Sequence, residues 1–456
     1  MVRNTKKVFI LVLLTLVFTF AQAQTAETAE TAETAAQIEV NGAVIENGTI
    51  SAEEVSSYYE YYLQYYGTLD PLFEESYVKA FILNELVKER LTEYFAKKDG
   101  ITVEELQANN SSVSDEEMQN YYNANRDDLM QNEQYVDFDY AYFETQEEAK
   151  AFYDKATEVG YDKALEESSA VENDSYTGLK KAETGEAFIE VLFGNYDNPL
   201  RISYSDDGSF VFRVNKLNDM STYELFKESQ VYNDILGQIV MQKFDQYLND
   251  RIKSEKVAIK TSDGYAIWIA IAKNEDMQKI YDTFYPVVFD KDGKVVTDDP
   301  WLLSGLLVSI EEAEKIDQYA TEYNEIVEKL YNMGYKSFTI LARMREISDS
   351  EQVKLEYNVA LSNLLLQDIE NGNIMSVFQY LYTNIGELEE LTQSENPQIR
   401  QKALEYLYRM YKVLGDTQSA LEYLQTLQSE NPQYMDFDAA LNELNQMTDT
   451  TGEENQ

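Results

Sequence analysis

The amino-acid sequence predicts a mainly α-helical protein with a small α+β insert near the middle of the chain. Apolar residues recur at spacings of three and four over most of the sequence, which is the period of an amphipathic helix. Between residues 134 and 218, strand-like runs instead flank two helical segments. The chain has 456 residues with only 6 Pro and 18 Gly, a composition typical of a folded, helix-rich protein of two to four domains.

The composition also narrows the possible functions. The formal net charge is -46, which disfavours nucleic acid or an anionic membrane surface as a partner. The chain contains no Cys and no His, so disulfides, thiol nucleophiles and Ser-His-Asp machinery are excluded. We therefore expect no catalytic residue, no metal site and no cofactor. A carboxylate-based hydrolase is the weakest alternative, because 83 acidic residues make chance carboxylate pairs common.

The N-terminus has the features of a secretory signal peptide over Met1–Ala23. Basic residues precede an apolar run, Val8–Phe20, and small residues follow it. A membrane-spanning helix needs about 20 apolar residues, so this run is short for one. We expect cleavage after Ala23, no stable membrane insertion and an extracytoplasmic location, with the periplasm favoured; an uncleaved anchor is the alternative. Residues 24–37, rich in Thr-Ala-Glu triplets, are expected to form a low-complexity linker.

A tyrosine-rich helix follows a short strand or hairpin at residues 38–45. Ser51 and Glu54 have the spacing of a capping box, so we expect the helix to begin at Ser51. One face of this helix carries apolar and aromatic residues at helical spacing: Val55, Tyr58, Tyr59, Tyr62 and Tyr66. Tyrosine rings pack against apolar chain while their hydroxyls reach backbone groups, so we predict that these four tyrosines bind polypeptide. The alternative is that they pack the core of their own domain.

Three further helical segments complete the region 38–133. A long amphipathic segment covers Phe73–Lys97, and capping boxes at Thr102 and Ser114 begin two shorter ones. The motif Val-Asn-Gly, the capped helices and the segment Val113–Leu129, in this order, resemble the N-terminal chaperone domain of SurA-type and PrsA-type extracytoplasmic folding factors. The resemblance covers Ile38–Leu129. It implies a chaperone that binds unfolded or newly exported polypeptides.

Residues 134–218 combine strands and helices in a recognisable order. A strand at Tyr135–Phe143 is followed by two helical segments, a loop at Gly178 and a closing strand at Phe210–Val214. This order resembles a parvulin-type peptidyl-prolyl isomerase domain, and the resemblance places Tyr140 and Phe210 where that family has its active-site histidines. A pocket with these residues can hold an aromatic or proline side chain, so we expect binding without isomerisation. An active isomerase and an unrelated α+β domain are the alternatives.

A helix and a strand at residues 219–262 resemble the segment that returns to the N-terminal domain in SurA-type chains. We therefore expect residues 38–133 and 219–262 to form one chaperone core around the insert. Residues 263–308 are a transition segment, in which Tyr265–Ala272 is expected to be a buried strand. Phe289–Val296 contains an Asp-Gly pair, which predicts a hairpin turn. A calcium loop is the disfavoured alternative, because the glycine comes too early for the spacing of such a loop.

Residues 309–447 are predicted to be helical from Ser309 onward. The pentapeptide Ser-Glu-Asn-Pro-Gln occurs at 394–398 and again at 429–433, a separation typical of helix-turn-helix repeats. Residues from Leu404 to Pro432 resemble a tetratricopeptide repeat (TPR), which implies a protein partner for this region. A plain helical bundle, and a scaffold or adaptor protein built on the repeats, are the alternatives. Residues 448–456 are expected to form a polar tail.

Overall fold

The computed structural model describes residues 34–67, 69–70, 72–194, 197–205, 208–370 and 374–453. The predicted signal peptide, Met1–Ala23, lies outside these residues, as do most of the predicted linker and the end of the predicted tail. The chain forms two compact units. One unit contains the residues up to Arg90 and those from Val257 onward, and the other contains Leu91–Lys256. No helix in the described part of the chain is long and apolar enough to cross a bilayer.

The first part of the chain contains both strands and helices, and the elements from residue 263 onward are helices. In chain order they are β1 (Thr34–Val40), β2 (Ala43–Ser51), α1 (Ala52–Tyr66), α2 (Glu74–Asp99), α3 (Val103–Ser111), α4 (Asp115–Asn132), β3 (Tyr135–Phe143), α5 (Gln146–Val159), α6 (Tyr161–Glu166), β4 (Glu172–Lys180), α7 (Glu186–Phe193), β5 (Leu200–Ser205), β6 (Gly208–Leu217), α8 (Tyr223–Glu228), α9 (Gln230–Ser254), β7 (Val257–Thr261), α10 (Asp263–Ala272), α11 (Met277–Val288), α12 (Pro300–Glu312), α13 (Ala320–Asn332), α14 (Phe338–Ile347), α15 (Glu351–Glu370), α16 (Ile374–Leu391), α17 (Pro397–Val413), α18 (Thr417–Glu430) and α19 (Phe437–Glu453).

The first unit begins with a three-stranded antiparallel sheet in the order β2-β1-β7. The turn between β1 and β2 uses Asn41 and Gly42, which both have positive φ (52° and 82°), as a tight type I′ hairpin turn requires. The expected linker, residues 24–37, is too long in the prediction, because its last four residues belong to β1. Strand pairing uses backbone hydrogen-bonding groups and does not require large side chains. Ala35 and Ala36 can therefore belong to β1, where both are buried.

Two helices follow this hairpin. Ser51 precedes α1, and its hydroxyl accepts a 3.0 Å hydrogen bond from the Glu54 N–H, as the capping pattern predicts. The Glu54 carboxylate, which was expected to complete a capping box, pairs with Arg90 on α2 at 2.7 Å. The side chain that the local pattern assigns to the cap therefore serves a contact between two helices.

The transition segment is helical where the sequence predicted a strand. Tyr265–Ala272 lies in α10, where Ile267, Trp268 and Ile271 are buried and the Trp268 indole donates to the Trp301 carbonyl at 2.9 Å. A short apolar run does not by itself distinguish a buried strand from a buried helix. The next long helix also begins earlier than Ser309, at Pro300, because α12 starts behind an Asp299 cap. The predicted Asp-Gly turn is present, closed by a single β-bridge between Phe289 and Val295.

Helices α13 to α19 pack consecutively, each against the next. The two copies of the repeated pentapeptide have different structural roles, however. Asn396 caps the start of α17, with Pro397 in its first turn, whereas Asn431 directly follows the last residue of α18. The 35-residue spacing therefore does not relate equivalent helix boundaries, and the TPR interpretation stays a prediction.

The second unit holds the predicted α+β insert. Its antiparallel sheet has the order β4-β3-β6-β5. Strand β3 has the predicted bounds, and β6 extends beyond the predicted Phe210–Val214. Helices α5 and α6 pack on one face of the sheet, and α7 packs on the other. The predicted fold class, mainly α with a small α+β insert, is confirmed.

The predicted chaperone core, residues 38–133 with 219–262, is divided between the two units, because residues 91–133 and 219–256 belong to the second unit. The return segment also differs from its prediction in its helices. The single helix expected in residues 219–262 is two helices, because Ser229 is extended and its hydroxyl caps α9 by accepting from the Tyr232 N–H at 3.2 Å. Within the second unit, the end of α9 contacts the end of α2. Arg251 pairs with Asp99 at 2.8 Å, and its guanidinium lies 4.5 Å from the centroid of the Phe95 ring. This contact and the pairing of β7 with β1 are two places where the return segment meets the N-terminal region.

Candidate peptide-binding site

The tyrosine stripe of α1 faces mainly into the protein. Tyr59 and Tyr62 are only 8% and 2% exposed, so the prediction that they contact a client is wrong in this conformation. Tyr58 is half-buried, and the side chain of Tyr66 lies outside the described residues. An amphipathic helix turns its apolar stripe toward the core, which is the alternative stated for this pattern. Among the aromatic side chains of α1 that the structure describes, Tyr65 is the exposed one, at 63%.

The electrostatics of α1 agree with this burial. Burial, followed by the charge and hydrogen bond of Glu75, raises the pKa of Tyr59 to about 12. The Lys79 ammonium lies 4.8 Å from the centroid of the same ring. Tyr61 and Tyr65 pair on the outer surface of α1, with ring centroids 5.2 Å apart and hydroxyls 2.8 Å apart. The buried tyrosines therefore stabilise the helix against its own unit, and the pair Tyr61 and Tyr65 lies on its outer surface.

A cavity of about 600 Å³ lies in the second unit, on the face of the sheet that α7 covers. Its walls are seven aromatic rings, two leucines, two glutamates and a Thr-Gly pair. They are Phe138, Tyr140, Tyr142, Glu172, Tyr176, Leu179, Glu183, Thr184, Gly185, Phe188, Leu192, Phe210 and Phe212. A cavity of this size and apolar character is the usual form of a small-ligand or side-chain binding site.

Strand alternation brings the rings together. Side chains at every second position of a strand point to the same face, so Phe138, Tyr140 and Tyr142 of β3 all line the cavity. Antiparallel pairing then places Phe212 opposite Tyr140, and Phe210 opposite Tyr142. The centroids of Tyr140 and Phe210 are 6.1 Å apart. The two positions predicted from the parvulin resemblance thus lie in one cavity.

The remaining rings complete an aromatic wall. The ring of Phe188, from α7, stands edge-on to Phe210 at 5.3 Å and to Phe212 at 5.7 Å. On β4, Tyr176 stacks on Phe138 at 5.4 Å with an interplanar angle of 16°. Tyr176 is nevertheless 49% exposed, so one face of its ring is available at the mouth of the cavity. Sequence reasoning missed these rings, although the alternation in Tyr135–Phe143 could have shown Phe138.

The polar groups of the cavity are few. The Tyr140 hydroxyl donates to the Glu172 carboxylate across the paired strands β3 and β4. This hydrogen bond, with a further contribution from burial, raises the pKa of Tyr140 to about 12. The hydroxyl therefore stays protonated at neutral pH and is already hydrogen-bonded. Where the parvulin resemblance expects a histidine that titrates near neutrality, this cavity has a phenol that does not.

The opposite face of β3 carries a buried carboxylate that sequence reasoning also missed. Asp139 accepts from the Ser175 hydroxyl at 2.6 Å, from Arg213 Nε at 2.7 Å and from the Asn215 amide at 2.9 Å. Burial acts against ionisation, but these hydrogen bonds together lower the pKa of Asp139. The Arg213 guanidinium also lies 4.6 Å from the centroid of the Tyr161 ring on α6. This network joins three strands and α6 behind the cavity wall.

Among the described residues, no group of three or more acidic side chains is placed to hold a metal ion. The cavity itself contains two carboxylates and no nitrogen ligand. Its chemistry is therefore that of apolar and aromatic packing with a negatively charged margin.

Two family models match this chain, one after the other along the sequence. Residues 1–143 match the family described as SurA-like N-terminal domain. Residues 113–227 match the family described as PPIC-type PPIASE domain, and this match covers the sheet and the cavity. None of the curated proteins matches the sequence.

A search of solved structures finds a chain from a study of the virulence factor PEB4 and the periplasmic protein Cj1289, two SurA-like chaperones of Campylobacter jejuni. The sequences are 13% identical, and the alignment covers 47% of this chain and 79% of that chain. The TM-score of 0.18 is too low to support an argument about shape or function. The family matches are the informative result: the N-terminal part of the chain is similar to the SurA-like N-terminal domain, and the sheet that follows is similar to the PPIC-type domain.

Proposed function

We propose that this protein is an extracytoplasmic folding factor that binds unfolded or newly exported polypeptides, and that its parvulin-like domain binds them without catalysing prolyl isomerisation. The observation that carries the proposal is the cavity over β3 and β6, in which aromatic rings occupy both positions where the resemblance expects histidine. The SurA-like match supports the chaperone role. Together with the signal-peptide pattern of Met1–Ala23, it supports the periplasm as the location.

The energetics of the cavity suit weak, reversible capture of a side chain. Full burial of one large apolar side chain contributes about 1.5–3 kcal/mol, which by itself corresponds to very weak binding. A client must therefore touch several sites at once, and each site releases it readily. The cavity supplies one such site for a phenylalanine, leucine or proline side chain in an extended segment.

The polar groups that the cavity offers support the proposed absence of catalysis. Rotation about a prolyl bond has a barrier of about 20 kcal/mol, and an isomerase must stabilise the twisted state more than the planar one. Tyr140 is neutral and donates to Glu172, so it is not placed to follow a charge change in the client. An active isomerase is the second candidate function, favoured by the match of residues 113–227 to the isomerase family.

Two further surfaces belong to the proposal. On α1, the outer pair Tyr61 and Tyr65 takes the place of the buried stripe as a contact for clients. Helices α13–α19 are proposed to be a TPR-like region that binds a protein partner. Recovery of one folded partner in stoichiometric amount, instead of many unfolded clients, would favour the scaffold or adaptor alternative.

The cavity can be tested with two matched tyrosine substitutions. Tyr176→Ser removes a half-exposed ring from the mouth of the cavity, and Tyr204→Ser removes a 45% exposed ring from β5. Tyr204 is a control because it follows Leu200 and Ile202 on the face of the sheet that packs against α5. Loss of one stacking ring costs about 1 kcal/mol, so we expect Tyr176→Ser to weaken binding of a Phe-Pro peptide about fivefold.

The readouts are the peptide affinity and the suppression of aggregation of a denatured client, both with the full chain. We expect Tyr176→Ser to require more protein for the same suppression, while Tyr204→Ser behaves as the parent protein does. Equal effects of the two substitutions, with both variants folded, would show that the cavity is not the binding site.

A further inference from the structure

The charged residues that line the cavity are acidic. Among the described residues that line it, Glu172 and Glu183 carry charge, and none is a lysine or an arginine. Glu172 is on β4 and Glu183 is in the turn that leads to α7, so the two carboxylates stand on different segments of the rim. Both are exposed to solvent. A ligand in the cavity therefore meets negative charge at its margin.

Arg201 on β5 donates to the carbonyls of Val191 and Leu192 on α7, and two other basic residues of this domain have acidic partners. Arg213 lies on the opposite face of the sheet, where it pairs with Asp139 at 2.5 Å and with Asp162 at 2.8 Å. Lys180, at the end of β4, pairs with Glu133 at 2.8 Å. Neither of these cations lines the cavity or neutralises its rim. The aromatic walls add to the same field, because the face of a π-system is negative.

Rings and carboxylates together form the usual receptor for a cationic side chain. A guanidinium or ammonium group stacks over an aromatic face and gains further from a nearby carboxylate. The exposed ring of Tyr176 lies on the same strand as Glu172 and four residues from it, so both are on one side of β4. The cation would lie at the mouth, while the apolar neighbour in the client fills the interior.

We propose that the cavity selects client segments in which an arginine or a lysine adjoins an aromatic, aliphatic or proline residue. This inference rests on the proposed function, because it names the class of segment that the same cavity takes. It also assigns Glu172 as a residue that determines specificity. A purely apolar cavity would prefer the most apolar segment, whereas this one discriminates by the charge of the flanking residue.

The test uses the full chain and three peptides of one frame, Gly-Ser-X-Phe-Pro-Ser-Gly, with Arg, Gln or Glu at X. We expect the Arg peptide to bind about tenfold more tightly than the Gln peptide, and the Glu peptide to bind least, as a cation over a ring beside a carboxylate implies. The measurement is fluorescence anisotropy of labelled peptides at fixed ionic strength.

The net charge of -46 would attract any cationic peptide, so the test needs a matched control. Glu172→Gln removes one charge at the rim and keeps an oxygen that accepts from Tyr140. Glu147→Gln removes the same charge from the start of α5, on the opposite face of the sheet. We expect Glu172→Gln to reduce the Arg-to-Gln affinity ratio from about tenfold to about twofold, and Glu147→Gln to leave the ratio as it is.

Three results would overturn the inference. Equal affinities for the Arg and Gln peptides would show that the cavity has no charge preference, while the proposed function would stand. Equal loss of the ratio in both variants would assign the preference to the overall charge. If none of the three peptides binds, or if Tyr176→Ser leaves their binding unchanged, the proposed function is overturned and the inference with it.

Discussion

The network behind the cavity makes a quantitative prediction, because Arg213 pairs with one buried and one exposed carboxylate. The side chain of Asp139 is 13% exposed and that of Asp162 is 78% exposed. Replacing either residue with alanine removes one ion pair from the same guanidinium. The two substitutions therefore differ mainly in the burial of the carboxylate that is lost.

The expected costs are far apart. Breaking a buried ion pair by removing one partner costs about 3–5 kcal/mol. Arg213 is itself 29% exposed and keeps its contact with Asp162, so we reduce the expected cost of Asp139→Ala to about 2–3 kcal/mol. An exposed pair contributes less than about 1 kcal/mol, which is the expected upper limit for Asp162→Ala.

Hydrogen exchange of the full chain is the suitable assay, because unfolding of a chain with two compact units does not follow a single two-state transition. Under conditions where exchange reports the opening equilibrium, a cost of 2–3 kcal/mol lowers protection of β3 and β6 amides by about 30- to 150-fold. Asp162→Ala should lower protection by less than about fivefold. The protection of α17 amides, which belong to the first unit, serves as an internal reference.

Equal losses of protection in the two variants would refute the reasoning, since burial would then not determine the value of the pair. A loss spread over the whole chain after Asp139→Ala would also contradict the assignment of this network to the second unit.

Three other predictions follow from the same contacts. Tyr62→Ala should cost about 3–5 kcal/mol, as for other large core residues, whereas Tyr65→Ala should change the stability by less than about 0.5 kcal/mol; protection of the α1 amides against hydrogen exchange in both variants decides this. The hydrogen bond from Lys243, and then the backbone N–H of Ser114, lower the pKa of Glu117 to about 2, so this pair stabilises the protein above the usual pKa of a glutamate and the contribution is lost as the pH falls toward 2. The urea midpoint of Lys243→Met should therefore fall less than that of the parent protein between pH 5 and pH 3. The raised pKa of Tyr140 makes stability depend on pH in the opposite direction. The stabilisation from the Tyr140 hydroxyl is present below the usual tyrosine pKa near 10 and is lost as the pH rises toward 12. Tyr140→Phe should therefore lose less stability than the parent protein over that interval.

The sequence predicted the α+β insert well because strand and turn chemistry are local there. The alternation in Tyr135–Phe143 predicts β3 with its bounds, and the family resemblance predicts that Tyr140 and Phe210 occupy one site. Phe188 could not be assigned to this site from the sequence. It lies on helix α7, and only the packing of α7 on the sheet brings its ring near Tyr140 and Phe210. The carboxylate of Asp139 was hidden for a similar reason: its three donors come from two other strands.

Two of the errors in the helical regions illustrate their physical causes. The stripe on α1 is equally consistent with a binding surface and with a core face, and periodicity does not distinguish them; Tyr62 shows that the core face is the correct interpretation. The apolar run Tyr265–Ala272 was too short to have a visible period. The α13–α19 region was predicted to be helical and is helical, but the pentapeptide copies around Asn396 and Asn431 occupy different positions relative to their helices.

The central claim is that the aromatic cavity binds a prolyl segment and does not accelerate its rotation. Exchange NMR of a Phe-Pro peptide measures both in one sample: line broadening reports binding, and exchange cross-peaks report cis-trans interconversion. With substoichiometric protein, we expect broadening that is weakened by Tyr176→Ser and an interconversion rate equal to that of the free peptide. Interconversion that rises in proportion to the protein concentration, and is lost in Tyr140→Phe, would contradict the claim and establish an active isomerase.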